Sequence, residues 1–339
     1  MTKTFEINRR RVLQGAAIAS LPVLSACGEE MELPLPPGTF VGPFGKESTA
    51  EEVTDGLDLS GQTALVTGAN SGLGYETMRV LAMRGAHVIG AARTLEKAKT
   101  ACDSIKGKTT PVAIELSDFA SAAQCVADVQ ALDTPIDILI CNAGVMSLPE
   151  RQLNYGIERH FVINHLGHFI LTVGLLDQVK AARQGRVVVL SSGQATRNAP
   201  ESGILFDNLS MEGVYTPDLG YGQSKLANAL FSLELARRLE GTTATSNSVR
   251  PGVIMTNLGR HLPWWQKVAS ELLGWTFMKS VPQGAATTCY VSTYPELRDT
   301  TGQMFEDCNP RRQGGFTEDV DMAQRLWTVS EEITRDYLS

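Results

Sequence analysis

The sequence predicts a doubly wound α/β domain, a parallel sheet with helices on both faces. Three observations predict it. The chain has 339 residues, 43% hydrophobic and 20% charged, which is enough for one large domain with a full core. Short runs such as Ala64-Leu65-Val66 are apolar throughout rather than alternating, as strands buried on both faces are. Between that run and the helical stretch 77–83 stand Gly68, Gly72 and Gly74, so strand, tight turn and helix follow one another.

In chain order the first element is "NRRRVLQGAAIASLPVLSACG", residues 8–28. Arg9, Arg10 and Arg11 form a basic region, and residues 12–26 carry no charge. That run is shorter than the roughly 20 residues that span a bilayer, so it suits an export signal. Residues 8–14 resemble a twin-arginine signal, departing from it at Val12 and Gln14. Leu24-Ser25-Ala26-Cys27 resembles a bacterial lipobox, which implies lipidation of Cys27. Residues 1–27 are thus expected to be an export signal. It would leave the protein on the periplasmic side, tethered to the membrane through Cys27. Unprocessed, the same stretch is an uncleaved apolar helix and the protein stays cytoplasmic.

Residues 28–58 change character. The prolines and glycines of "ELPLPPGTFVGPFG" read as a tether, and Ser48 with Glu51 reads as a capping box whose short helix Gly56 closes. The net charge of -7, without a Lys/Arg patch beyond the first eleven residues, argues against nucleic-acid binding. There are six cysteines. Apart from Cys27 they show no CxxC pair or ligand-like spacing, so they read as small buried apolar residues with no metal site.

The glycine turn is the first chemical signal. Without Cβ atoms, the backbone turns sharply and lets a pyrophosphate approach, its charge stabilised at the following helix N-terminus. The second strand, 87–92, bears on the choice of cofactor. An acidic residue at its end would accept hydrogen bonds from a ribose 2′-hydroxyl, whereas an Arg pairs with a 2′-phosphate. Ala92 holds the acidic position and Arg93 follows it, which favours NADP(H) over NAD(H). The competing reading of Arg93 is a solvated surface side chain.

Tyr221 and Lys225 lie four apart in a helical segment, hence on one face. A phenol with an ordinary pKa near 10 is a poor acid–base group at neutral pH. A nearby ammonium is expected to draw it into a useful range. Tyr215 has no Lys four residues on and reads as structural.

The turn Thr67-Gly68-Ala69-Asn70-Ser71-Gly72-Leu73-Gly74 resembles the TGxxxGxG turn of the short-chain dehydrogenases/reductases. "DILICNAGVM", "FVINHLGHF", "GRVVVLSSGQA", "GYGQSKLANALF" and "SVRPGVIMTNLGRH" follow in that family's order. The resemblance covers about residues 48–335 and points to the branch of retinol dehydrogenases and the WW-domain oxidoreductase. It implies that Tyr221 exchanges a proton with the substrate oxygen, while Lys225 also binds the nicotinamide ribose. Ser192, rather than its neighbour Ser191, would hydrogen-bond the reacting oxygen, and Asn164 would hold a proton-relay water. For the cofactor it implies Gly68, Asn70, Ser71, Gly72, Leu73 and Gly74 of the turn, Arg93, and Leu116 beside Glu115. It adds Asn142-Ala143-Gly144, then Pro251, Gly252, Ile254 and Thr256 near the carboxamide. Cys141 stands where Asn is more usual.

The family's lid over the nicotinamide would fall in "NLGRHLPWWQKVASELLGWTFMKS", which holds Trp264, Trp265 and Trp275. It reads either as one wall of a lipophilic pocket, or as ordinary helical packing or a membrane-facing patch. The expectation is one Rossmann-type domain over residues 59–335 with a seven-stranded parallel sheet. It would be an NADP(H)-dependent oxidoreductase of a small hydrophobic alcohol, aldehyde or ketone. A nucleotide-binding scaffold or sensor with little turnover is the alternative. Oligomerisation is compatible with the sequence.

Overall fold

Uniform burial sets the strands. In the computed structural model, which describes residues 33–254 and 278–338, β1 (Thr63–Thr67) is buried at all five positions, as is β7 (Arg186–Leu190). After α1 (Ala50–Val53), the first half runs β1, α2 (Gly72–Met83), β2 (His87–Ala92), α3 (Leu95–Asp103), β3 (Thr109–Ala113), α4 (Phe119–Gln130) and β4 (Ile138–Cys141). A small hairpin follows, β5 (Leu153–Asn154) with β6 (Ile157–Glu158). It leads into α5 (Arg159–Phe161), a π-helical turn at Val162–Leu166, α6 (Gly167–Gly174) and α7 (Leu176–Ala181). The second half runs β7, α8 (Gln194–Arg197), α9 (Pro217–Arg238), β8 (Thr245–Arg250) and α10 (Val281–Thr293). It ends with β9 (Met304–Glu306), β10 (Asn309–Pro310) and α11 (Val320–Thr334).

The strands order as β10-β9-β8-β7-β4-β1-β2-β3. Seven of these pair in parallel, and β10 adds a two-residue antiparallel edge to the expected seven. Alternate residues feed opposite faces. Leu65, Leu139 and Val187 enter the core under α4, α6, α9 and α11, whereas Ala64, Ile140 and Val188 enter the core under α2 and α10. Strand order reverses between β1 and β4, so their carboxyl ends open a crevice where a ligand can reach backbone from both.

The N-terminal stretch departs from expectation in two ways. The capping box is Thr49 with Glu52, one residue later than Ser48 with Glu51. This register turns Ala50 and Val53 into the domain, where both are buried, and Ser48 Oγ instead accepts from Gly45 N. Gly56, at φ +71°, sits in the turn beyond the helix. Residues 33–58 are also no free tether. Leu33 bridges Arg312, Phe44 packs edge-on against Tyr290 and Tyr294, and Asn309 exchanges hydrogen bonds with Gly42 and Phe44. Apolar residues in a Pro-rich strip gain more from this contact than from water.

Cys102, Cys125, Cys141, Cys289 and Cys308 are buried and unpaired with one another. The described residues contain no metal-binding cluster and no helix long and apolar enough to cross a membrane. The signal at residues 1–27 with Cys27, together with Thr256, Trp264, Trp265 and Trp275, lies outside the described residues.

Candidate active site

At the end of β1 the chain turns left-handed at Gly68, φ +69°, and again at Gly72, φ +56°. The turn fits a pyrophosphate because side chains are excluded from it. A Cβ on Gly74 would run into the Gly68 carbonyl and come within 2.5 Å of Asn142 Nδ2. Asn142 ties the turn to β4: its Nδ2 donates to Thr67 O at 2.7 Å, and its amide donates to Thr67 Oγ1 at 2.9 Å. A cavity of about 200 Å³ runs from Gly68, Asn70 and Ser71 past Leu116 to Ala143 and Gly144. Its far end holds Arg93 and also Lys97, which the sequence reading did not single out. Lys97 had no motif to mark it; only the placement of α3 brings it there. Arg93 is 58% exposed and pairs with Glu115 at 3.1 Å, and Glu115 also accepts from Ser117. Glu115 thus orients Arg93 while neutralising part of its charge.

A second cavity, about 380 Å³, opens at the ends of β7 and β8. Ser192, Tyr221, Pro251, Gly252 and Ile254 line it, with Leu73, Met146 and Met278. Tyr221 is placed by α9, which starts at Pro217 behind the N-cap Thr216 and is buried continuously from Gly220 to Ser232. Its phenol shares the cavity with the Ser192 side chain, which lies near enough to lower its pKa. The two neighbouring serines differ. Both line the cavity, but Ser191 is buried and its hydroxyl donates to Lys225 O at 2.8 Å, so it is already engaged away from the cavity.

Lys225 Nζ lies 5.7 Å from the Tyr221 ring centroid and donates to Leu190 O at 2.8 Å. Here the structure corrects the expectation of an acidified phenol. Burial, only partly offset by the Ser192 side chain, pushes Tyr221 up to about 12. Burial likewise brings Lys225 down to about 8. Desolvation disfavours both charged forms, and with its hydrogen bond spent on a carbonyl the ammonium does not reverse that for the phenol.

Asn164 sits in the π-helical turn, a geometry often found at functional sites. Its side chain is fully engaged, accepting from Val145 N at 2.8 Å and donating to Val145 O and Ser224 Oγ. It therefore holds the 143–146 loop beside Lys225. Its backbone carbonyl accepts from His168 Nδ1 at 3.0 Å, which leaves His168 Nε2, 2.8 Å from Thr67 Oγ1, as a hydrogen-bond acceptor for that hydroxyl alongside Ile140 O. Burial holds His168 down at about 4, consistent with a neutral ring. Thr67 and His168 thus link the glycine turn to the π-helical turn that holds Asn164. "NHLGHF" held that His in view, but no spacing rule marks a contact across 101 residues. Tyr215 donates to Leu148 O at 2.6 Å and has a structural role.

A short chain dehydrogenase family profile matches residues 62–204. The chain is 42% identical over 299 residues to short-chain dehydrogenase TIC 32 A, chloroplastic, of Brassica napus, covering 85% of this chain and 93% of that one. It is 34% identical over 339 residues to human retinol dehydrogenase 14, covering 93% and 98%. Among solved structures, a putative uncharacterized protein from Mycobacterium paratuberculosis superposes with a TM-score of 0.67 at 31% identity, over 84% of this chain and 97% of that one.

Proposed function

The chain belongs to the short-chain dehydrogenase/reductase family, oxidoreductases that bind nicotinamide cofactors, and from that premise we propose that it is an NADP(H)-dependent oxidoreductase of hydrophobic alcohols, aldehydes or ketones. One observation carries the reading: Ser192 and Tyr221 line one largely apolar cavity whose wall includes the Gly252 loop. The glycine turn, Asn142 and Gly144 would hold the dinucleotide, which supplies or accepts hydride when bound.

Ser192 would donate to the substrate oxygen and orient it. Tyr221 would exchange a proton with that oxygen. In the resting site its phenol, raised to about 12, keeps its proton at neutral pH, the state that protonates a nascent alkoxide. Lys225 would stabilise the phenolate left behind, and Asn164 would keep its carbonyl in place for a relay water. Support for a lipophilic substrate comes from Leu73, Met146, Val253, Ile254 and Met278 around the cavity, and from a relative whose name specifies retinol. Arg93 and Lys97, with no acidic residue at position 92, support NADP(H).

The test is carbonyl-dependent NADPH oxidation over a panel of hydrophobic aldehydes and ketones. Tyr221→Phe is expected to lower turnover by about 100-fold or more while NADPH binding persists. NADPH binding without turnover on any substrate would favour the scaffold alternative. Turnover untouched by Tyr221→Phe would sink the mechanism. The twin-arginine and lipobox-like motifs support export with a membrane tether at Cys27. An intact Met1 terminus in the cytoplasmic fraction, read by mass spectrometry, would overturn that.

A further inference from the structure

The hairpin closing the sheet presents two consecutive carboxylates to the catalytic cavity. β9 ends at Glu306 and β10 begins at Asn309; between them Asp307 and Cys308 have φ of +53° and +61°. A two-residue turn with both φ values positive favours Asn and Gly. Asp and Cys are held there against backbone strain, which persists only where surrounding contacts enforce it.

Those contacts lead to both loops of the site. Glu306 Oε1 lies 3.0 Å from Arg250 Nε, and its Oε2 is 2.5 Å from Arg311 Nη1. Arg250 and Glu306 are only 12% and 11% exposed. The Arg250 guanidinium lies against Gly193, where a Cβ would meet its Cζ and Nη2 at 2.6 Å, and Gly193 directly follows Ser192. Asp307 Oδ1 is 2.5 Å from Lys279 Nζ. The Lys279 stem underlies Gly252, where a Cβ would meet its Cδ and Cε at 3.3 Å. Lys279 N also donates to Val253 O at 2.9 Å, in register with the Ile254 bridge.

Resting on the oxidoreductase reading above, we infer that Glu306 and Asp307 are positioning residues. Through Arg250 and Lys279 they set the separation between the Ser192 loop and the Gly252 loop, and so between the reacting oxygen and the nicotinamide. Each carboxylate is paired with a cation and would act through it. The Asp307 side chain is 36% exposed, but the Arg250–Glu306 pair is largely buried. Such pairs are a poor source of stability, since desolvation offsets most of their attraction, yet they are directional. A separation held by direction suits a reaction in which about 1 Å of misplacement costs about 100-fold in rate.

The test uses full-length protein, NADPH and the best carbonyl substrate of the panel. Glu306→Gln keeps the shape and is expected to lower kcat about tenfold or more, with NADPH Kd by fluorescence titration held within about twofold of wild type. Asp307→Asn suits the left-handed turn and is expected to weaken NADPH binding about tenfold, with the smaller change in kcat. Glu306→Asp, which keeps the charge, should recover part of the lost kcat. Where a hairpin variant does not fold, Arg250→Lys and Lys279→Met leave the turn intact and carry the same two expectations. If kcat and Kd shift by one common factor that tracks the melting temperature, or do not shift, the hairpin is packing only and the inference is overturned. Wild-type protein without turnover would sink the oxidoreductase reading and the Ser192 half of this inference. The Asp307→Asn titration with NADPH still decides the other half.

Discussion

At the nucleotide end of the cleft, one continuous stretch from Thr67 to Gly74 makes the turn, tied down by Asn142 and kept clear by glycines that leave no room for a Cβ. At the catalytic end, Ser192, Asn164, Tyr221 and Lys225 arrive from the β7 end, the π-helical turn and α9, and the contacts are between buried polar and titratable groups. The first end is governed by steric fit, the second by desolvation. Each should therefore fail in its own way.

The largest effect is expected from Gly74→Val. Its side chain has no room between the Gly68 carbonyl, which is backbone, and the Asn142 side chain, which is tied to Thr67 O. NADPH affinity should fall about 100-fold, equivalent to about 3 kcal/mol. Affinity retained within tenfold, measured by calorimetry, would break the comparison at its steric end.

Lys225→Met probes desolvation and should move activity and stability in opposite directions. Turnover should fall about 100-fold. Stability should rise, because burial lowers this ammonium from 10.5 to about 8. Between those values the unfolded chain holds a proton that the folded one has lost, so wild-type stability climbs with pH across that window. The burial penalty is therefore complete below pH 8 and gone above about 10.5. Urea unfolding at pH 7 should show the variant more stable by up to about 3 kcal/mol, the gain vanishing toward pH 10.5. Leu190 O keeps its partner in Asn228, so the substitution orphans no acceptor. A variant less stable at pH 7 would contradict the electrostatic account of this end.

Arg93→Ala should have the smallest effect, because the guanidinium is exposed and shared with Glu115. The preference for NADPH over NADH should fall about tenfold by competitive titration. An unchanged ratio would assign the 2′-phosphate to Lys97 instead.

The contrast also explains what could be read in advance. The glycine turn, the Tyr221–Lys225 spacing and the strand-end serines are short-range patterns, and Gly68, Asn70 and Ser71 line one cavity while Ser192 and Tyr221 line the other. The one-residue error in the capping box arose because Ser48 and Thr49 both have a Glu three residues on, and only the burial of Ala50 and Val53 selects between them. The tether misled because a Pro-rich composition does not reveal that Phe44 has a partner at Tyr290. Thr67 and His168 were missed because they meet across the crevice.

The sequence by itself determined the strand–turn–helix unit, the strands buried on both faces and the catalytic spacing on one helix. All of these are set within a few residues by sterics and periodicity. Only the tertiary structure brings in the burial that raises Tyr221 and lowers Lys225, where proximity alone predicted an acidified phenol. It alone showed that the Ser191 hydroxyl is engaged by Lys225 O, and that Glu306 and Asp307 reach the loops around the cavity. The physical reason is that desolvation depends on everything packed around a group, and no local spacing encodes that.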